Sequence, residues 1–255
     1  MNKPTVSIIT PSYNSDRFIA QTITSVINQS FTNWEMIIVD DCSTDKTVEV
    51  VLEFDDPRIK LHILSKNSGA GIARNTALEM ASGRYIAFLD ADDLWKEKKL
   101  ERQIDFLSSN NLPFTFSFYD CIDEEGNDLS RTVGAPQPLS YRELFFCNFV
   151  GNLTGIYDID VFGKIEITSV RKRQDWIMWL TILKQIKKAS VIPESLALYR
   201  IRKDSISASK RSLMRHNYLV YRNFHKLSPV MSGICMIGFL FTQFLIKPRY
   251  IKRKR

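Results

Sequence analysis

The sequence predicts an α/β fold in which helices cover both faces of a mostly parallel sheet. Its first 120 residues alternate short β-rich runs with amphipathic runs of helical spacing. A chain of 255 residues, 44% hydrophobic and 25% charged, can bury a large core. Polar segments follow the predicted strands, and ligands of such sheets bind beyond the carboxyl ends of the strands. We therefore expect the chemistry at one edge of the sheet.

The predicted elements follow one another in regular order. Apolar runs rich in β-branched and aromatic residues predict strands at 5–10, 34–39, 59–64, 85–89 and 114–119. Apolar residues at helical spacing predict helices at 18–27, 70–81 and 96–109. Beyond residue 120 we expect a short helix at 140–146, a longer helix beginning near Asp175, and a strand or loop from Ser195 onwards.

Four polar segments stand directly after predicted strands. They read TPSYN at 10–14, DDCSTD at 40–45, KNSGA at 66–70 and DADD at 90–93. Because the carboxyl ends of parallel strands meet at one edge of a sheet, we expect these segments to lie close together. A ligand-binding site is expected there.

The segment DADD brings three carboxylates to this edge. In an extended chain Asp90 and Asp92 point to one side, whereas Asp93 points to the other. Neighbouring carboxylates repel each other unless a positive group joins them. We therefore expect Asp90 and Asp92 to help hold Mg²⁺ or Mn²⁺, which prefer oxygen ligands. For Asp93 we expect a structural role as the N-cap of the following helix.

Other interpretations of these motifs fit less well. The stretch GAGIAR at 69–74 has an arginine where a dinucleotide fingerprint needs its third glycine. A phosphatase-like hydrolase with Asp90 as nucleophile remains an alternative, although such enzymes place D-x-D after the first strand. The four cysteines include no C-x-x-C pair and have no neighbouring histidine, which argues against a zinc site and a disulfide framework and fits a reducing cytoplasm.

Taken in order over residues 4–205, the motifs resemble those of family 2 glycosyltransferases, inverting nucleotide-sugar enzymes with the Rossmann-like GT-A fold. VSIITPSYN resembles the first strand of that family, IIVDDCSTD its acidic segment, and NSGAGIARNTALEMASGRYIAFLDADD its most recognisable stretch. The resemblance implies that Asp92, together with Asp90, contacts the metal on the donor diphosphate. The nucleotide-sugar-binding residues that it implies are Pro11, Tyr13, Asp41, Arg74 and Asp90.

Two later segments extend the resemblance. RQDWIMWL resembles the acceptor-side motif, with Asp175 as the implied catalytic base and Gln174 where the family usually has glutamate. The alternative for Asp175 is a structural role as the N-cap of a helix starting at Trp176. YRIRKDSIS resembles a segment that closes over the diphosphate, which gives nucleotide-sugar-binding roles to Arg200 and to Arg202, where the family usually has histidine.

The resemblance implies an inverting, metal-dependent hexosyltransferase. Its donor would be a UDP-sugar, with glucose or galactose expected first, and its acceptor a saccharide on undecaprenyl diphosphate in O-antigen, lipopolysaccharide or capsule assembly. A metal and arginines would stabilise the leaving diphosphate, and one carboxylate would take the proton of the acceptor hydroxyl. A non-enzymatic membrane-binding module is the alternative from a different class.

The C-terminal end predicts contact with a membrane. Seventeen uncharged residues at 230–246 precede KPRYIKRKR, in which six of nine residues are basic. This stretch is marginally short for a full crossing, so we expect an interfacial or re-entrant anchor on the anionic cytoplasmic face of a bacterial inner membrane. A buried helix in a soluble oligomer is the alternative. We accordingly divide the chain into a transferase domain at 1–227 and a membrane-associating segment at 228–255.

The charge distribution agrees with an anionic partner. Residues 164–255 contain 21 Lys or Arg and 4 Asp or Glu, whereas the residues before them contain 14 and 24. Scattered solvated lysines would give the same balance. The basic residues lack the interleaved aromatics of a nucleic-acid-binding module, so we expect no nucleic-acid partner.

Overall fold

A computed structural model describes residues 3–168, 170, 172–202 and 210–253. The part of the family-like segment YRIRKDSIS that follows Arg202 lies outside the described residues. The strands are β1 Val6–Ser12, β2 Trp34–Asp40, β3 Ile59–Ile63, β4 Tyr85–Phe88, β5 Leu94–Trp95, β6 Phe114–Ile122, β7 Asp128–Val133, β8 Leu139–Ser140, β9 Ile156–Asp158, β10 Lys188–Arg200 and β11 Ile251–Arg253. The helices are α1 Ile19–Ile27, α2 Thr47–Leu52, α3 Ala70–Met80, α4 Lys99–Ser109, α5 Tyr141–Phe146, α6 Ile159–Phe162, α7 Gln174–Ile186, α8 Lys210–Leu219 and α9 Pro229–Phe241.

The sheet confirms the predicted α/β architecture and is mixed beyond its parallel half. Strands β3, β2, β1 and β4 are neighbours in that order and run parallel. On the far side of β4, β9 pairs antiparallel and leads to β6, β7 and β11. The long strand β10 pairs in parallel with β6 and antiparallel with β5. The parallel half therefore aligns the ends of β1, β2 and β4 along one edge.

Helices cover both faces of the sheet because its central strands are buried on both sides. Successive strand residues alternate between two apolar clusters: Ile8 faces α1 and α4, whereas Ile9 faces α3 and α7. The helix α7 is held by two fully buried tryptophans three positions apart, Trp176 and Trp179. Residues three apart share one face of a helix, so this pair fixes the rotation of α7 and directs Asp175 away from the core.

The N-cap role expected for Asp93 is wrong. The residues that follow it form β5, which pairs with β10, and α4 begins only at Lys99 after Lys98 as N-cap. Asp93 is buried, and its Oδ1 accepts a hydrogen bond from the backbone N–H of Arg200 at 2.9 Å. Pairing with β10 thus replaces the predicted capping.

The C-terminal part packs on the domain along one side only. Pro229–Tyr250 is the single helical stretch among the described residues that is long and apolar enough to cross a membrane by length and composition. Its α-helical part, α9, continues through a π-helical turn at Thr242–Ile246 and a 3₁₀ turn at Lys247–Tyr250. The basic tail then forms β11, which pairs antiparallel with β7. The C-terminal end of this stretch is consequently held by the domain.

Candidate active site

The carboxylates of the DADD segment lie at the carboxyl edge of the sheet, directly after β4. Asp90 and Asp92 are half-buried, and Asp93 is buried. Burial, followed by the charge of Asp90, raises the pKa of Asp92 above its ordinary value. Burial and the charges of Asp92 and Asp90 raise the pKa of Asp93 well above its ordinary value. The site therefore concentrates negative charge that a bound cation would relieve.

Arg74 connects Asp90 to the first turn of α7. Its Nη2 donates to Asp90 Oδ1 at 2.6 Å, and its Nη1 donates to Gln174 Oε1 at 2.7 Å. Asp90 Oδ1 also accepts from Asn152 Nδ2 at 3.2 Å. Among the described residues, no partner reaches the buried Nε of Arg74. The sequence-predicted residues Arg74 and Asp90 thus meet, and Gln174, which stands where the family has glutamate, joins them.

The two arginines at the end of β10 differ in their surroundings. Arg202 Nη1 donates to Asp92 Oδ2 at 2.8 Å, and the Arg202 side chain is about a quarter exposed. Arg200 is 1% exposed. Its guanidinium donates to the backbone oxygens of Asp92 and Glu124 and to Gln21 Oε1, at 2.7–2.8 Å. Arg202 is therefore the arginine that faces the carboxylates, and Arg200 holds the backbone around them.

The residues predicted to meet the nucleotide lie at the carboxyl ends of β1 and β2. Pro11 is buried within β1, whereas Tyr13, just beyond it, is 48% exposed. Asp41 is buried, and its two carboxylate oxygens accept the backbone N–H groups of Ser68 and Gly69 at 2.6 and 2.7 Å. Asp41 therefore fixes the loop that leads into α3, the helix that carries Arg74.

Asp175 lies in the first turn of α7, and the alternative that it caps a helix starting at Trp176 is wrong. The helix begins at Gln174 with Arg173 as N-cap, because Arg173 adopts a left-handed backbone with φ 72°. The side chain of Asp175 accepts a hydrogen bond from Asn148 Nδ2 to its Oδ2 at 2.7 Å. It is half-buried and free of an ion pair among the described residues.

Arg74 joins the carboxylates after β4 to the helix that carries Asp175. It bonds both Asp90 and Gln174, and Asp175 is the residue that follows Gln174 in the first turn of α7. Burial raises the pKa of the nearby Tyr199 hydroxyl, and the negative charges of Asp93, Asp92, Asp90 and Asp175 add to that effect in this order. The end of β4 and the first turn of α7 therefore lie next to each other.

The donor set fits a hard divalent cation. Within the described part of the chain, no group of three or more His, Cys, Asp or Glu side chains is arranged to hold a metal ion. Asp90 and Asp92 supply carboxylate oxygens, and burial followed by the charge of Asp90 raises the pKa of Asp92, so a cation would stabilise the ionised pair. Asp90 and Asp92 are the residues that would hold Mg²⁺ or Mn²⁺, a cation that would supply positive charge to a diphosphate.

Sequence reasoning missed three polar residues of this site: Asn148, Asn152 and Gln21. The side chain of Asn148 donates to Asp175, and that of Asn152 donates to Asp90. The side chain of Gln21 accepts from Arg200. A single amide side chain outside any motif carries no signal in the sequence. The nearest available signal was the occurrence of Asn148 and Asn152 in the mostly apolar stretch 145–156.

Comparison with known proteins gives the family. Residues 7–158 match the model of Glycosyl transferase family 2. TuaG of Bacillus subtilis, provisionally named a teichuronic acid biosynthesis glycosyltransferase, is 41% identical over 93% of this chain and 95% of its own. WfgD of Escherichia coli, named UDP-Glc:α-D-GlcNAc-diphosphoundecaprenol β-1,3-glucosyltransferase, is 39% identical over 86% of each chain.

Solved structures give the fold. TarS of S. aureus, residues 1–349, was crystallised with UDP-GlcNAc and superposes with a TM-score of 0.70 at 22% identity. The match covers 94% of this chain and 73% of that one. The predicted GT-A type fold is thereby confirmed, as is the class of enzyme. The chain belongs to glycosyltransferase family 2.

Proposed function

We propose that the protein is an inverting, metal-dependent hexosyltransferase. It transfers glucose or galactose from a UDP-sugar to a saccharide on undecaprenyl diphosphate during the synthesis of a cell-surface polysaccharide. The observation that carries this proposal is the arrangement at the carboxyl edge of the sheet, where Arg202 pairs with Asp92 and Arg74 joins Asp90 to the first turn of α7, the turn that carries Asp175. The reaction named for WfgD supports the donor and the acceptor, and the ligand of TarS supports a UDP-sugar.

The donor half of the site would bind UDP and stabilise its departure. Tyr13, exposed at the end of β1, offers an aromatic face to the uracil, with Pro11 behind it. Mg²⁺ or Mn²⁺ held by Asp90 and Asp92 would neutralise charge on the diphosphate. Arg202 can turn from Asp92 towards the leaving phosphate, because its side chain is partly exposed and bound by one ion pair.

The acceptor half of the site would supply the base. Asp175 accepts the proton of an acceptor hydroxyl while that oxygen bonds to the anomeric carbon. The bond between the anomeric carbon and the UDP oxygen breaks on the opposite side, and its electron pair leaves with UDP. Attack from the face opposite to the leaving group inverts the anomeric centre. UDP-α-glucose would accordingly give a β-linked product.

The C-terminal helix supports contact with a lipid surface. Its inward face is buried by Ser232, Cys235, Phe239 and Thr242. Its outward face exposes between 46% and 75% of each of seven apolar side chains: Val230, Met231, Ile234, Ile237, Phe241, Phe244 and Leu245. A continuous apolar stripe of this kind on a soluble surface marks an interaction site.

Topology and charge favour a position in the interface rather than a crossing. Pairing of β11 with β7 returns the chain to the sheet directly after the helix. Exposed basic residues stand at both ends of the stripe, with Lys226 before it and Arg249, Lys252 and Arg253 after it. We infer that residues 228–255 lie on the anionic cytoplasmic leaflet, where nucleotide sugars and lipid-linked acceptors are both accessible, and that residues 1–227 carry the transferase site.

The proposed reaction is tested with a panel of radiolabelled UDP-sugars, Mn²⁺ and GlcNAc-diphosphoundecaprenol. We expect transfer from UDP-glucose or UDP-galactose, and loss of transfer in Asp175→Asn with retention of UDP binding. Release of free sugar without transfer from every donor would contradict the proposal and favour a hydrolase. Activity of Asp175→Asn equal to that of the wild type would exclude this residue as base.

Membrane contact is tested by co-sedimentation with vesicles that contain phosphatidylglycerol. Ile237→Asp places a charge on the stripe, and Leu52→Asp is its matched control, because both side chains are 69% exposed in the native protein. We expect Ile237→Asp to reduce the bound fraction and Leu52→Asp to leave it unchanged. Equal binding of the two variants would overturn the interfacial proposal.

A further inference from the structure

The helical stretch Pro229–Tyr250 packs against residues 146–149, the segment that contains Asn148, whose side chain bonds the candidate base Asp175. Gly238 packs so closely on Phe146 that an added Cβ would lie 2.6 Å from the ring. One turn later, Cys147 Sγ lies 3.2 Å from Gln243 Oε1. Lys247 Nζ then donates to the backbone oxygen of Asn148 at 2.6 Å. Three successive turns of the stretch thus contact three successive residues.

Aromatic packing continues this contact beyond Lys247. The ring of Phe149 packs edge-on against Tyr250, with centroids 5.7 Å apart and planes at 83°. The Lys247 ammonium also lies 5.9 Å from the centroid of Phe149. Residues 238–250 therefore pack directly against the whole of the segment 146–149.

Asn148 is held at its backbone oxygen and at both polar groups of its side chain. Its backbone oxygen accepts from Lys247, and its side-chain Oδ1 accepts the backbone N–H of Val150 at 3.1 Å. Because Oδ1 is already engaged with a donor, the amide Nδ2 is directed to Asp175, where it donates to Oδ2 at 2.7 Å. The orientation of this amide is fixed by its neighbours.

We propose that Asn148 and Lys247 are positioning residues for Asp175, so that the C-terminal stretch completes the active site. This inference rests on the proposed role of Asp175 as base. The bond from Asn148 occupies Oδ2 and holds the carboxylate in one rotamer. Among the described residues, no donor reaches Oδ1, which is left to accept the proton of the acceptor hydroxyl. Lys247 fixes Asn148 with a charge-assisted bond.

The positioning role predicts a change in turnover rather than in donor binding. A misplacement of a reacting group by about 1 Å can cost about 10²-fold in rate. We therefore expect Asn148→Ala to lower kcat by about 10²-fold and Lys247→Met by about 10-fold, at saturating donor and acceptor. The KM for the donor and the affinity for UDP should be unchanged, because the hydrogen bonds of these two residues within the described part of the chain join neither of them to the donor half.

The experiment compares Asn148→Ala, Lys247→Met and Lys247→Arg in the full chain, each alone and in the Asp175→Asn background. Lys247→Arg keeps a charged donor for the Asn148 oxygen and should restore most of the activity lost in Lys247→Met. Since Lys247 acts through Asn148, a double variant with both Asn148→Ala and Lys247→Met should turn over no more slowly than Asn148→Ala alone. The residual rate of Asp175→Asn should not fall further when Asn148→Ala is added.

The outcomes separate this inference from the proposed function. Inactive Asp175→Asn together with fully active Asn148→Ala and Lys247→Met would overturn the positioning role and leave the base assignment intact. A raised donor KM with unchanged kcat would overturn it as well, as would equal loss in Lys247→Arg and Lys247→Met. Full activity of Asp175→Asn would instead remove the base assignment on which the inference rests. Thermal melting of Lys247→Met and Lys247→Arg checks that both fold alike.

Discussion

Carboxylates removed from solvent lie at both edges of the parallel sheet, and their pKa values are shifted in opposite directions: that of Glu35 at the amino edge is lowered, whereas those of Asp92 and Asp93 at the carboxyl edge are raised. At the amino edge, Glu35 Oε1 accepts from Ser7 Oγ and from the backbone N–H and the hydroxyl of Ser82, at 2.6–2.8 Å. Its Oε2 accepts from Lys60 Nζ at 2.7 Å. Burial alone would raise the pKa of Glu35, but these hydrogen bonds outweigh it and lower the pKa to about 2.

At the carboxyl edge, the effects that raise the pKa of the carboxylates outweigh those that lower it. Burial and mutual repulsion raise the pKa of both Asp92 and Asp93 in spite of the nearby arginines. A carboxylate with a lowered pKa stabilises the folded state at neutral pH, and one with a raised pKa opposes folding. The amino edge is therefore optimised for stability, whereas the carboxyl edge retains an electrostatic cost that a bound cation and substrate can offset.

The largest expected effect separates activity from stability at the carboxyl edge. Asp92→Asn removes one negative charge while keeping the shape of the side chain. We expect kcat/KM for transfer to fall by about 10³-fold, because charge stabilisation of the leaving group is lost. The free energy of unfolding should stay equal or rise, since repulsion with Asp90 is removed. Radiolabel transfer and urea denaturation measure the two quantities.

Asp92→Glu is the control for that prediction, because it keeps the charge and lengthens the side chain. It should retain more activity than Asp92→Asn when Mn²⁺ is in excess. A variant Asp92→Asn that unfolds more easily than the wild type and transfers sugar normally would place Asp92 in the same class as Glu35. The comparison between the two edges would then fail.

The next effect is on stability at the amino edge. Glu35→Gln replaces one accepting oxygen with an amide that cannot accept from Ser7 or Lys60. We expect the free energy of unfolding at pH 7 to fall by about 2 kcal/mol, and transfer activity at 25 °C to be unchanged. Chemical denaturation measures the free energy of unfolding, and the panel of UDP-sugars measures the transfer activity. Loss of activity in a fully folded variant would contradict the assignment of this edge to stability.

The pH dependence of that difference follows from the sign of the pKa shift. The pKa of Glu35 lies near 2 in the folded protein, below its ordinary value of 4.5. Its stabilising contribution is therefore complete above about pH 5 and is lost as the pH falls towards 2. The difference in unfolding free energy between wild type and Glu35→Gln should shrink over that interval. A difference that is constant from pH 7 to pH 3 would rule out this origin.

The parallel half of the fold and the charged strand ends could be predicted from the sequence because both are local patterns. The run Tyr85–Phe88 is buried on both faces and is followed at once by its carboxylates, so composition alone marks both. The N-cap role expected for Asp93 is wrong, and so is the N-cap alternative to the catalytic role expected for Asp175. Leu94 and Trp95 pair with a strand a hundred residues away, and the left-handed Arg173 starts α7 one residue early. Neither long-range pairing nor a single unusual backbone angle has a local signal.

The same reason explains what the sequence did not indicate at all. Ile251–Arg253 lies in a basic tail after a proline, a composition typical of a solvated end, yet it completes the sheet beside β7. Asn148 has no motif around it, although it contacts Asp175 through a hydrogen bond. Such roles depend on which distant residues are brought together, and only the folded chain supplies that information.

Asp41 tests whether the carboxylates of one edge serve only stability and those of the other edge only activity. It stands at the carboxyl edge but resembles Glu35, since both its oxygens accept backbone N–H groups. Asp41→Asn turns one acceptor into a donor that faces the N–H of Ser68 or Gly69. We expect a loss of about 1 kcal/mol in stability together with a several-fold higher KM for the donor, because the loop before α3 is released. Denaturation and donor kinetics on one preparation measure both.

A change in only one of these two quantities would sharpen the comparison. If stability falls and the donor KM is unchanged, Asp41 belongs with Glu35 as a purely structural carboxylate. If the KM rises without any loss of stability, Asp41 contacts the nucleotide directly, as the family resemblance implies. Ser68→Ala, which keeps the backbone N–H, is the control and should leave both quantities unchanged.

The smallest expected effect divides the stabilisation of Glu35 among its partners. The Lys60 side chain is 46% exposed, and solvent screens its ion pair with Glu35, whereas Ser7 is fully buried and also accepts from the N–H of Gly83 at 2.8 Å. We expect Lys60→Met to cost about 0.5 kcal/mol, and less at high salt, because exposed ion pairs contribute little. Ser7→Ala should cost about 2 kcal/mol regardless of salt, because it leaves buried groups without partners. Equal costs for the two variants would mean that the ion pair with Lys60 stabilises the fold as much as the buried hydrogen bond of Ser7 does, and the amino edge would then depend in part on solvent-exposed electrostatics.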